Sequence, residues 1–562
     1  MSRVNQSPVS LMQNSMEFIR LDEVSLVAAL LGGFIVLFGF VSYFVKEKLY
    51  LSESLICMIC GIAFGPFVSN IITPDKWGDI DEITKQFARI VIAIQVMAAG
   101  IQLPKAYLWK ESKSLFFLLV PVMSWMWVTS ALAIWWMIPK LSFLEALCIA
   151  SCVAPTDPVL ANSIMKGKFA EKYVPTHLRD ILSAESGAND CLGFPFLYLA
   201  MYLIKTSTGP ALGEWAYYIM GYQVILSAIF GAIIGYIARK SLRWAAEKNM
   251  IDKEMFLAFS IVLALFIMGV VSILGSDELL ACFIAGNSFT WDDWFRQETV
   301  EAHFQPILDM LLNLAVFAYI GAIIPFSSFT NDSLGLSYWR LAVMAILIIL
   351  FRRLPIIMAL MRKIPALKTY REGLFAGWFG PIGVGAIFYG ELTKEALEKY
   401  DAHSVAQEIV KPVVFFLVLS SIVVHGISIP LMKIGKRVNT MSRTTSLNFP
   451  TQPTSLNTIK LDGIIFRKTN TSSAEKVDEL KDIAESNNSS SSTPTVRVPP
   501  TEQIFVNTDN LPQYQNTNAN GTNDNVIIKV SQESAKFSHE HDDIIEERNI
   551  EDEKTRVITN PP

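Results

Sequence analysis

Two carboxylates set inside apolar runs, Asp157 and Asp190, are the residues whose surroundings allow chemistry. Asp157 lies between Pro155 and Pro158 in the run SFLEALCIASCVAPTDPVLANSIM. Each proline removes an amide donor and crowds the preceding turn, so a regular helix cannot pass through both. Backbone carbonyls from Val153 to Thr156 then lose their helical partners. In hydrocarbon such a break survives only where other protein or a water-filled cavity meets the freed groups. Asp157 also suits the cap of the half-helix that follows it. Asp190 stands in RDILSAESGANDCLGFPFLYLAMYLI beside Glu185, Ser186 and Asn189. Ser186 precedes Asp190 by one turn, so its hydroxyl lies on the same helix face. With no cation nearby in sequence, the Asp190 carboxylate holds a proton or, once deprotonated, a bare cation, but not both. Freed carbonyls, a hydroxyl and two carboxylates of adjacent segments therefore describe a hard-oxygen site for a small cation, with proton competition as its mechanism of exchange.

Glu185 is five residues from Asp190, about 140° round a helix, and needs a different partner. Arg352 and Arg353 lie inside the apolar run LAVMAILIILFRRLPIIMALM, and a buried ion pair with Glu185 is expected. The sequence leaves open which of the two pairs, and snorkelling to the interface is the alternative for both. Asp309 and Asn313 share one face of a later segment. Asp292 and Asp293 form either a cation-attracting mouth or a plain solvated loop. His425 reads as a core histidine. No phosphate loop, nucleotide fingerprint or catalytic triad is present, so neither ATP-driven transport, an enzyme nor a cofactor is indicated.

The elements that must position these residues are membrane helices. Hydrophobic residues make up 51% of the chain, against 18% charged, and apolar runs of bilayer-crossing length follow one another from residue 24 to residue 432. We count thirteen segments; the ninth, residues 277–289, is short, and without it twelve remain. Lys and Arg concentrate in alternate loops, including Lys105, Lys110 and Lys113, Arg239, Lys240 and Arg243, and Arg362, Lys363 and Lys368. By the positive-inside rule these loops are cytoplasmic, which places the N-terminus outside and the C-terminus in the cytoplasm only if the ninth segment spans. The acidic loop TWDDWFRQETVEAH fits that assignment least well. The fifth segment is broken at Pro155–Pro158; the twelfth is interrupted by Gly377, Gly380, Pro381, Gly383 and Gly385. Seven ordinals separate them, so corresponding segments of two halves run in opposite directions, as in secondary transporters built from inverted repeats. Close helix packing at small residues is the competing account of these glycines.

The expected architecture is an all-α membrane protein of about 13 transmembrane helices with two inverted repeats. Residues 1–22 form an N-terminal extension without signal-peptide character, and residues 23–437 the transmembrane domain. Residues 438–562 form a polar tail expected to be disordered, in which LDGIIFRK and DNVIIKV are candidate docking elements and His539 and His541 belong to a solvated charge run. All six cysteines fall in apolar segments, so no disulfide framework is implied.

SCVAPTDPVLANSI and LRDILSAESGANDCLGFPF resemble the two signature stretches of the monovalent cation/proton antiporters. The Asn189–Asp190 pair, with Glu185 before it, is similar to the sodium/proton exchanger branch, and the whole chain is most similar to the fungal plasma-membrane sodium/proton antiporters. The resemblance implies a homodimer in the plasma membrane, with an ion-carrying domain that moves against a dimerisation domain. It implies ion and proton binding at Thr156, Asp157, Ser186 and Asp190, with Asn189 in support, Na+ at Asp157 and Asp190, and a structural Glu185–arginine pair. The expected activity is export of Na+ or Li+, with K+ as a further candidate, against entering protons by alternating access, serving pH homeostasis and salt tolerance. A K+-selective exchanger and a cation channel are the alternatives, and nucleic acid is not among the expected partners. The twelfth segment departs from the animal pattern Gly-Leu-Arg-Gly by reading Gly-Trp-Phe-Gly-Pro.

Overall fold

The computed structural model describes residues 23–44, 51–158, 160–161, 174–299, 304–400, 404–445, 459–461 and 464–466. The chain divides into two compact units, residues 1–449 and 450–562. In the second unit the described part is a two-stranded antiparallel hairpin, Ile459–Leu461 with Ile464–Phe466, in which Ile459 faces Phe466. It covers part of the expected docking run LDGIIFRK. DNVIIKV, His539, His541 and the N-terminal extension lie outside the described residues, as does the disorder expected of the tail.

The first unit is helical, and each of the thirteen apolar segments carries a helix. In chain order these are α1 (Glu23–Phe44), α2 (Glu53–Phe64), α3 (Ile80–Gln102), α4 (Ser112–Met137) and α5 (Phe143–Val153). The sixth segment divides into α6 (Thr176–Cys191) and α7 (Gly193–Lys205). Then come α8 (Thr208–Glu247), α9 (Lys253–Ile273), α10 (Glu278–Phe289) and α11 (Phe304–Ile323). The eleventh segment is α12 (Tyr338–Phe351) plus α13 (Leu354–Leu360); the twelfth is α14 (Tyr370–Trp378) plus α15 (Val384–Tyr400); the last is α16 (Ala406–Thr445). Among the described residues, seven helices are long and apolar enough to cross a bilayer by themselves. At 12 residues α10 rises only about 18 Å, less than the roughly 30 Å of hydrocarbon. α16 continues past Arg437, the expected limit of the membrane domain, to Thr445.

Helix starts follow local chemistry. Asp79, Asp252 and Asp277 accept amides of the first turns of α3, α9 and α10, and Ser142 with Glu145 and Thr369 with Glu372 form capping boxes at α5 and α14. Packing between helices relies on small residues, because lipid supplies no hydrophobic force between apolar surfaces. Gly231 and Gly235 of α8 meet Ala281 and Ala285 of α10, where an added Cβ would lie 2.4 Å from each carbonyl oxygen. Gly61 of α2 likewise meets Ala318 of α11, and Gly100 of α3 meets Gly286 of α10. The two interrupted helices, α5 and α14–α15, lie among α3, α4, α6, α7, α13 and α16, and this group holds the polar interior.

Candidate functional site

α5 ends because Pro155 and Pro158 deny it further turns; its last bond runs from the Ala154 amide to the Ala150 carbonyl. The second interrupted helix stops at Trp378 and resumes at Val384. The two unwound stretches cross, and the Asp157 amide donates to the Pro381 carbonyl at 2.9 Å. The Asp157 carboxylate then caps both resuming half-helices. Its Oδ1 accepts the Leu160 amide at 2.9 Å, and its Oδ2 accepts the Val384 amide. One buried carboxylate thus accepts an amide from each of the two chain stretches that follow the breaks, one of them the N-terminus of α15 with its partial positive charge.

The opposite ends meet a cation. The Arg352 guanidinium donates to the carbonyls of Val153, Pro155 and Gly380, which are the groups released where α5 and α14 stop. This corrects one expectation. The carbonyls of Val153 and Pro155 are engaged by Arg352 and are not left for a cation. The choice of partner for Glu185, left open by the sequence, falls on one arginine. Arg353 alone meets Glu185, in a two-pronged contact of 2.5 and 2.7 Å, and its Nε donates to the Ala376 carbonyl at 2.8 Å. The helix breaks between these two arginines, ahead of Pro355, which turns their side chains to different partners. Both arginines are 3% exposed, so neither snorkels.

Asp190 sits one helix away on α6, 2% exposed. Among the described residues no donor hydrogen-bonds to its carboxylate. The Tyr389 hydroxyl donates instead to the backbone carbonyls of Asp190 and Cys191, at 2.9 and 3.1 Å. The carboxylate faces Gly385, where a Cβ would lie 2.5 Å from Oδ1; two residues earlier, a Cβ on Gly383 would lie 2.0 Å from Oδ2 of Asp157. The stretch from Gly383 to Gly385 thus runs beside both acids, and only glycine leaves them room. Thr156 joins the sites from the other side. Its hydroxyl lies 2.9 Å from that of Ser186, its amide donates to Asn189 Oδ1 at 3.1 Å, and Asn189 Nδ2 donates back to Thr156 Oγ1 at 2.9 Å. The structure therefore gathers Thr156, Asp157, Ser186, Asn189 and Asp190 in one buried place.

Asp292 and Asp293 do not join them. Asp292 lies 3.9 Å from Arg239 and 3.6 Å from Arg243. Asp293 holds Arg296 at 2.6 Å, and that guanidinium keeps its carboxyl below the usual carboxylate range. Asp293 is thus closely paired, whereas Asp292 lies near two arginines without a close ion pair. Asp309 accepts from Gln305 at 2.9 Å, Asn313 accepts from Gln95 at 3.1 Å, and His425 packs against the rings of Trp378 and Phe379. Sequence reading missed Tyr389, the Arg352 carbonyl cluster and the particular work of Gly383 and Gly385. The Gly-x-Gly spacing was the available signal for the last of these.

A family model described as "Sodium/hydrogen exchanger, transmembrane" matches residues 33–434. A probable Na+/H+ antiporter of Schizosaccharomyces pombe is 43% identical, over 75% of this chain and 58% of its own. An Na+/H+ antiporter of Saccharomyces cerevisiae is 41% identical, over 76% of this chain and 45% of its own. The chain thus spans about half the length of these two relatives. A second Schizosaccharomyces pombe Na+/H+ antiporter is 34% identical, over 75% of this chain and 92% of its own. Among solved structures, the sodium proton antiporter MjNhaP1 from Methanocaldococcus jannaschii superposes with a TM-score of 0.57 at 18% identity, covering 74% of this chain and 99% of that one. That likeness concerns the fold.

Proposed function

The chain belongs to the sodium/hydrogen exchanger family, a family of multi-pass membrane transporters, and from that premise we propose that it exchanges Na+ or Li+ for protons. K+ is a further candidate for the same site. The carrying observation is the Asp190 carboxylate, buried beside the crossing of two broken helices with no hydrogen-bond donor among the described residues. A carboxylate so placed is satisfied by a proton or by a small cation, and occupation by one expels the other. Asp157 is held by the two half-helix amides and supplies fixed negative charge next to it. The hydroxyls of Thr156 and Ser186 add neutral oxygens, and Asn189 fixes the orientation of Thr156. The Glu185–Arg353 pair fastens α6 to the start of α13, so that the ion-carrying helices re-orient as one body during alternating access.

In this reading residues 23–437 form the transporter, a homodimer in the plasma membrane, with its N-terminus outside and a cytoplasmic tail from residue 438. Cation export against entering protons would serve pH homeostasis and salt tolerance. The test is cation-driven pH change in vesicles reconstituted with the purified chain, using Na+, Li+ and K+ in turn. Asp190→Asn should abolish the signal with folding retained, since an amide cannot exchange a proton in this range. Wild-type exchange by that variant refutes the assignment, and currents beyond transporter rates would indicate a channel.

A further inference from the structure

At the end of α8, Arg239 is only 7% exposed, yet among the described residues its Nε and Nη1 have no hydrogen-bond partner. The nearest carboxylate oxygen, Asp292 Oδ1, is 3.9 Å from Nη1, beyond the roughly 2.7–2.9 Å of a charge-assisted hydrogen bond. Asp292 Oδ1 also accepts the Trp294 amide at 3.4 Å. One turn on, Arg243 stands 3.6 Å from the other Asp292 oxygen, while its Nε donates to Glu247 at 3.1 Å. Two guanidinium groups spaced i, i+4 repel each other, and here they share one carboxylate that neither reaches closely. A buried charged donor left unsatisfied is costly, so the arrangement calls for an oxyanion with several acceptors. Rings support the cations: Arg239 lies 5.3 Å and Lys240 6.0 Å from the Tyr236 centroid, and Arg243 5.6 Å from that of Trp294, contacts that do not use the in-plane N–H groups of the two guanidiniums.

We propose that Arg239, together with Lys240 and Arg243, binds the phosphate of an anionic phospholipid. The same helix argues for a lipid as the source of that phosphate. Ile229, Ile233, Tyr236 and Ile237 are each at least half exposed and form an outward apolar stripe leading to Lys240 and Trp244. Such a stripe accommodates an acyl chain, and aromatic and basic residues at its end mark the headgroup level. The site lies in the last turns of α8, within a lysine- and arginine-rich stretch that the charge pattern assigns to the cytoplasmic side. It shares no residue with the ion site, so its failure and that of the transport reading are separable.

The test uses the purified full chain in detergent, with phosphatidic acid, phosphatidylcholine and inorganic phosphate as probes. Retained lipid is counted by native mass spectrometry and thermal unfolding is followed in parallel. Wild type should retain phosphatidic acid over phosphatidylcholine and be stabilised by it. Arg239→Gln should bind it about tenfold more weakly, as expected for loss of charged hydrogen bonds. Lys248→Gln, an exposed charge at the same end, should change nothing. If Arg239→Gln does not fold, Arg243→Gln, whose side chain is 45% exposed, carries the same expectation. Equal retention by the folded variant, equal binding of phosphatidylcholine, or full stabilisation by inorganic phosphate alone overturns the proposal.

Discussion

Gly385→Ala separates local helix preference from the demands of the site. Gly385 lies in the first turn of α15, and alanine there favours helix by about 0.5–1 kcal/mol. The tertiary environment opposes this. The new Cβ would fall 2.5 Å from Asp190 Oδ1, 2.9 Å from Cγ and 3.0 Å from Oδ2. Ordinary carbon contacts begin near about 3.5 Å, so the carboxylate must retreat by about 1 Å. Overpacking of this kind costs about 1–3 kcal/mol, and offset by the helix gain it leaves a net destabilisation of about 0–2.5 kcal/mol. Exchange should suffer far more. A displacement of about 1 Å at a reacting group can reduce a rate about a hundredfold. The internal control is Gly390→Ala in the same helix, where a Cβ would meet Val414 at an ordinary 3.5 Å. That variant should retain exchange and keep or gain stability. The assay is Na+-driven proton movement in reconstituted vesicles, read beside thermal unfolding of both proteins. If Gly385→Ala exchanges at the rate of Gly390→Ala, the carboxylate is not where the structure puts it and the reasoning fails.

Removing one side of the Glu185–Arg353 pair should destabilise the protein by about 3–5 kcal/mol, because a buried charge is left alone. The Glu185→Gln, Arg353→Gln double variant should lose less than the two singles combined; additive losses in thermal unfolding would count against a direct pair. Arg352→Lys should lower both stability and exchange, since an ammonium lacks the planar fork that reaches three carbonyls; a wild-type melting profile would contradict this role. Asp293 has its carboxyl depressed by Arg296, so its contribution to stability is present above the ordinary carboxylate range and lost as pH falls through the depressed value. Wild type should therefore exceed Asp293→Asn by at most about 1 kcal/mol near neutrality, with the gap closing only below roughly pH 4; a gap that widens in acid would reverse the sign. The same substitution should leave the apparent Na+ affinity unchanged, and a large loss would restore the cation-mouth reading.

Several features were readable from the chain because their causes are local. Two prolines around Asp157 break any helix whatever surrounds it, and apolar runs of bilayer length announce membrane helices. Ser186 and Asp190 share a face by helical spacing alone. Asp157 as a cap follows from the break itself, and the Leu160 amide donates to its Oδ1.

What needed the tertiary structure were choices among partners. Arg352 and Arg353 are adjacent and chemically identical, and only the break ahead of Pro355, with the packing of α5, α6 and α14 around it, sends one to carbonyls and the other to Glu185. The freed carbonyls near Asp157 looked available to a cation because their eventual donor lies about two hundred residues away in the chain. Gly383 and Gly385 had the look of ordinary packing glycines until two carboxylates from other helices were placed against them. Composition and spacing act through neighbours along the chain, so they determine where a helix forms, breaks and is capped. Which buried charge meets which depends on helix crossings distant in sequence, and those the folded bundle alone decides.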